Sequence, residues 1–106
     1  MHDIQSTIDI IAKQYFFDEQ AYPLLRGADQ SSIYTFALRH LLLHMQKSLG
    51  KIATALEAED HGQDMNVQLL TEGLAKMHLN TLRMAELLSV KGETLNQMAI
   101  NYTKPR

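Results

Sequence analysis

Between Ser31 and Leu88 the chain contains no proline, and its apolar residues return with helical period. The two prolines, Pro23 and Pro105, both lie outside this stretch. A long proline-free segment with a period near 3.6 and no alternating strand pattern permits long helices and little else. Asp3 is placed to cap a first helix running to about Tyr15, with Ile4, Ile8, Ile11 and Tyr15 on one face. The residues from Phe16 to Gln30 carry Asp18, Pro23, Gly27 and Asp29, a turn-rich composition with aromatic anchors. Ser31 or Ser32 can cap a second helix ending near Glu59, and Asp64 a third running to about Leu88. Lys91-Gly92 stops the third helix, and a last one from Glu93 to about Tyr102 precedes a basic tail. The expected fold is all-α: a four-helix bundle with two long central antiparallel helices.

Size and charge narrow the function classes. With 106 residues there is room for a single domain spanning 1–106. A formal net charge of -2 and no long basic block argue against a nucleic-acid groove. No apolar run approaches the roughly 20 residues of a membrane span, so no membrane partner is expected. The opening Met1-His2-Asp3 lacks the basic and apolar regions of a signal peptide. The absence of cysteine excludes disulfides and thiolate metal sites and fits a reducing compartment. A cytoplasmic location is expected.

On the second helix Leu41, Met45, Leu49, Ile52 and Leu56 fall within an arc of roughly 80° and predict the core stripe. His40, His44, Lys47 and Lys51 form a separate strip roughly 60° wide. The third helix has one stripe of Leu70, Leu74, Met77, Thr81, Met84 and Leu88, and a weaker apolar side with Ala75, Leu79 and Leu82. Two apolar sides in so small a domain point to completion by a second subunit, as a homodimer or higher homo-oligomer. The alternative is that the first and last helices cover the second side within one chain. His78, beside the apolar stripe, reads as a packed or boundary histidine and not as a ligand.

Residues Leu43 to Leu56 (LHMQKSLGKIATAL) and Leu70 to Leu88 (LTEGLAKMHLNTLRMAELL) resemble the paired central helices of the MazG-like nucleotide pyrophosphohydrolases. The following SVKGETLNQMAINY resembles that family's short loop and terminal helix. The resemblance covers about sixty residues and rests on apolar spacing and element length, a moderately specific signal. It implies a fold whose members hydrolyse nucleoside triphosphates to monophosphate and pyrophosphate. They use Mg²⁺ held by carboxylates in an ExxE…ExxD arrangement, because a hard cation takes oxygen ligands.

The acids are missing here. The ExxE positions correspond to Ser48 and Lys51, and the ExxD positions to Gly73 and Lys76, while Glu72 corresponds to a neighbouring acid. Two of the four became ammonium groups, which repel a divalent cation. A slip of one residue restores nothing, since no acid lies between Ser31 and Leu56. The resemblance therefore implies a degenerate, non-catalytic member with no metal, no cofactor and no catalytic residue, acting by binding or assembly. His40, His44, Lys47, Lys51 and Lys76 are its candidate anion-binding residues, with a nucleotide or other phosphate-containing small molecule as ligand. The plainer reading is a solvated basic face whose lysines pair with Glu57, Glu72 or solvent ions. His40 and His44 are spaced i, i+4, as transition-metal ligands can be, but no third ligand lies near in sequence.

Two other function classes stay open at the level of sequence. One is an active pyrophosphohydrolase with atypical ligands, drawing on acids such as Glu72 and Glu86. The other is a phosphotransfer module, because His44-Met45-Gln46-Lys47-Ser48 resembles the phosphoacceptor segment of histidine phosphotransfer domains.

Overall fold

The computed structural model describes residues 2–103; Pro105 and the basic tail lie outside the described residues. Among the described residues there are four α-helices, α1 (Ile4–Ala12), α2 (Gln30–Asp60), α3 (Val67–Leu87) and α4 (Gly92–Tyr102), with a 3₁₀ turn at Pro23–Leu25 before α2. No strand occurs among the described residues, as the helical period of the sequence requires.

Capping chemistry sets the boundaries. Asp3 caps α1 as expected, its Oδ1 accepting the Ser6 amide at 2.7 Å. That hydrogen bond stabilises the carboxylate and holds its pKa below the ordinary value. The helix ends at Ala12, short of Tyr15, in bonds from Lys13 to Ile10 and from Gln14 to Ile11. The cap of α2 is Asp29, not Ser31 or Ser32, and its carboxylate accepts the Ser32 amide at 2.8 Å. A carboxylate outcompetes a hydroxyl at the positive end of a helix dipole. Asn66 caps α3 by accepting from Leu69, which leaves Asp64 in the preceding loop.

Both central helices end in Schellman turns. Gly62 adopts φ 80° as α2 closes, with Gln63 donating to Ala58 and Gly62 to Glu59. At the end of α3 the left-handed residue is Ser89, φ 57°, with Val90 donating to Ala85 and Ser89 to Glu86. The expected stop at Lys91-Gly92 is therefore displaced: Ser89 ends α3, and Gly92 is the first residue of α4.

α2 and α3 pack against each other as a long antiparallel hairpin, α1 packs on α3, and α4 on α1. The hairpin seam is narrow. A Cβ on Gly73 would stand 2.5 Å from Ile52 Cγ1 and 3.6 Å from the Ser48 carbonyl oxygen. Small residues (Ala37, Ser48, Ala55) are buried along α2, together with Leu41. The expected stripe is consequently rotated. Leu41 is buried and Met45 and Ile52 are half-buried, but Leu49 and Leu56 are 55% and 49% exposed. On α3, Leu74 is 62% exposed and Thr81 and Leu88 also face solvent, while Gly73, Asn80, Leu82 and Ala85 are buried. Close approach of two backbones selects small side chains, so the large ones are displaced to the flanks of the seam.

The second side of α3 is covered within the chain. Ile8 and Ile11 of α1 form a core with Leu82 and Ala85, joined by Ile4, Leu79, Val90 and Leu95. Leu82, expected at a subunit interface, is 1% exposed. α1 and α4 are further tied by the Gly92 amide, which donates to Gln5 Oε1 at 2.6 Å. The molecule measures 51 × 37 × 31 Å with a radius of gyration of 16.7 Å. A compact chain of this length would have about 13 Å. The excess arises where the C-terminal half of α2 and the start of α3 extend beyond the α1–α4 layer.

Candidate functional site

The segment between α1 and the 3₁₀ turn brings an aromatic group onto α2. Asp18 turns the chain there, its carboxylate accepting the Ala21 amide at 2.9 Å and its carbonyl the Tyr22 amide at 2.8 Å. Tyr22 then meets Phe36 and His40 edge-on, with ring centroids 5.2 and 4.8 Å apart. Phe17 stacks on Tyr22 at 5.4 Å. Phe36, His40 and His44 follow at successive turns of α2, with centroid separations of 5.3 and 4.6 Å.

Arg83 of α3 joins this group from the other side. Its guanidinium carbon lies 4.7 Å from the Tyr15 ring centre and 4.9 Å from that of Phe17, a double cation–π contact. Among the described residues Arg83 makes no ion pair within 4 Å; the pair present is His61–Glu57, at 3.4 Å on the surface. The guanidinium is thus held by two rings, and its donors have no carboxylate within 4 Å among the described residues. His44 senses the accumulated charge: partial burial, then His40, Lys47 and Arg83, hold its pKa below the ordinary 6.5. Two cavities adjoin here. One, of about 480 Å³, is lined by Tyr22, His44, Arg83 and Asp18 among others, and a second, of about 360 Å³, by His40, His44 and Lys47.

The sequence-predicted residues separate into two sets. His40, His44 and Lys47 are brought together and share a cavity. Lys51 and Lys76 are exposed and line none of these cavities. Lys47, Lys51 and Lys76 make no ion pair among the described residues, so the expected pairing with Glu57 or Glu72 is not formed: Glu57 meets His61, and Glu72 accepts from Gln68 at 3.3 Å. Ser48 and Gly73 face each other in the hairpin seam, Ser48 5% exposed. Their positions offer no oxygen ligands to an open groove, and no three His, Asp or Glu residues converge among the described residues. His78, expected at the boundary of the core, is exposed.

Sequence reasoning missed Arg83 and its ring partners. The available signal was aromatic clustering: six of the seven Phe and Tyr residues lie between Tyr15 and Phe36. Compared with known proteins, the chain matches no family model, no curated protein and no solved structure.

Proposed function

We propose that the chain is a non-catalytic, MazG-like helical protein that binds a phosphate anion, free or as part of a nucleotide, without a metal ion. The observation that carries this reading is the Arg83 guanidinium, in cation–π contact with Tyr15 and Phe17 and with no carboxylate within 4 Å among the described residues. A guanidinium held against aromatic rings keeps its planar fork of donors for a phosphate or carboxylate. Lys47 supplies neighbouring positive charge, and His44, kept neutral by its lowered pKa, adds a ring nitrogen that can donate or accept a hydrogen bond. The positions that the family resemblance equates with metal ligands do not fit a divalent cation. Ser48 and Gly73 are packed in the seam, and Lys51 and Lys76 add positive charge.

Assembly belongs to the same proposal. Leu42, Leu49, Leu56 and Leu74 leave apolar surface on the hairpin, and a second copy would bury it. The anion reading is tested by thermal melts in phosphate or pyrophosphate against chloride of equal ionic strength. At a hundredfold excess over Kd the native state gains about 2.7 kcal/mol. Arg83→Gln should abolish the gain. An equal shift in that variant, or none in the wild type, refutes the anion site.

A further inference from the structure

Arg83 divides two cavities of different character. The open one already described holds His44 and Tyr22. Behind Arg83 lies another of about 300 Å³, walled by Ile11, Ile33, Ala37, Tyr34 and Leu87 and reached between the tip of α1, the start of α2 and the end of α3. Tyr15, Phe16 and Arg83 line both, so the two are neighbours across one guanidinium. Gln30 and Glu86 add polar groups to the otherwise apolar wall. A volume near 300 Å³ is at the lower end of small-molecule sites, and it suits one flat ring system better than a flexible chain.

Resting on the reading of Arg83 as an anion receptor, we propose that the ligand is a phosphomonoester carrying a flat, largely apolar ring. The ring occupies the cavity beside Tyr34, and the phosphate lies on the Arg83–His44–Lys47 side. Charge fixes the direction. In the inner cavity the Glu86 carboxylate opposes Arg83 alone, whereas on the outer side Arg83 and Lys47 outweigh the one carboxylate, Asp18, which already accepts the Ala21 amide. Tyr34 is 42% exposed, so its ring is available to a ligand. The carboxylate of Glu86 and the amide of Gln30 can accept hydrogen bonds from N–H groups on the edge of a heterocycle.

Calorimetry on the full chain separates the two halves of the ligand. The probes are adenosine monophosphate and phenyl phosphate as ring esters, and ribose 5-phosphate and inorganic phosphate as anions without a ring. At least one ring ester should bind about tenfold or more tighter than ribose 5-phosphate, the scale of a single aromatic contact. Tyr34→Ala should erase that margin while leaving ribose 5-phosphate binding unchanged, and Arg83→Gln should weaken every probe. Circular dichroism of both variants establishes that the helices are retained. Ring esters binding no tighter than ribose 5-phosphate overturn the ring proposal and leave the anion site intact, as does a Tyr34→Ala loss that is equal for all probes. No binding of any probe to the wild type overturns both.

Discussion

Replacing Gly73 by alanine tests the hairpin seam directly. In a helix interior the change favours folding by about 0.8–1.0 kcal/mol through propensity alone. The new Cβ, however, would stand 2.5 Å from Ile52 Cγ1 and 3.1 Å from its Cδ1. Ile52 is β-branched and therefore stiff at χ1, so the strain cannot be relieved by a terminal methyl swinging aside. Overpacking of this kind costs about 1–3 kcal/mol. The net expectation is a loss of about 0–2 kcal/mol in Gly73→Ala. In an Ile52→Ala background, where the offending Cγ1 is gone, the same change should gain about 1 kcal/mol. Urea unfolding of all four proteins at one fixed protein concentration gives the cycle, with an expected coupling of about 1–3 kcal/mol. A gain of about 1 kcal/mol from Gly73→Ala in both backgrounds would refute the close crossing. The same geometry bears on any attempt to rebuild acids at Ser48, Lys51, Gly73 and Lys76. A glutamate or aspartate at Gly73 enters the seam, so the hairpin must open before four carboxylates can meet.

Three further outcomes are expected. Ser89→Gly should stabilise the chain by about 0.5–1 kcal/mol in thermal melts, because glycine removes a left-handed penalty of roughly 1–2 kcal/mol and gives part back as backbone entropy; a destabilised variant would refute the left-handed turn. Leu49→Asp together with Leu56→Asp, both at exposed positions, should reduce the mass measured by light scattering to one chain with the helices retained, and a monomeric wild type refutes assembly. The depressed pKa of His44 means that the unfolded chain binds more protons than the folded one, so stability is fully present above about pH 6.5 and falls as the pH drops below it. In buffers without phosphate that slope should shrink in His44→Gln, and an identical slope would remove His44 as its source.

The helices and several of their ends were legible in the sequence because they depend on neighbours: the period of the apolar residues, the Asp3 cap, and a second helix ending at Asp60, where Glu59 was expected. The grouping of His40, His44 and Lys47 was legible for the same reason, as a matter of helical spacing. The seam was not. Apolar counting rewards leucine, whereas two backbones close together reward Gly73, Ser48, Ala37 and Ala55, so the buried line fell to one side of the expected one. Ser89 escaped notice because glycine is the usual left-handed residue and Gly92 lay three positions on. Arg83 escaped because a lone cation on a helix reads as solvated, and the rings that hold it come from the distant segment around Tyr15 and Phe17. Such pairings are fixed by the route of the chain and leave no local periodicity.

The bond from Gly92 to Gln5 spans 87 positions, and the core it secures joins residues from both ends of the described chain. Closing so wide a loop carries an entropic cost that grows with its length. The hairpin of α2 and α3 changes that distance: once it has zipped, the start of α2 and the end of α3 lie side by side, and the path still to be closed is short. During synthesis α1 is made before the other described helices, yet Leu82, Ala85 and Gly92 arrive some seventy positions or more later. Its Ile8 and Ile11 therefore stay uncovered until nearly all the described residues have been made. Among the described helices α1 waits for the hairpin that serves as its jig, and α4 closes over it afterwards.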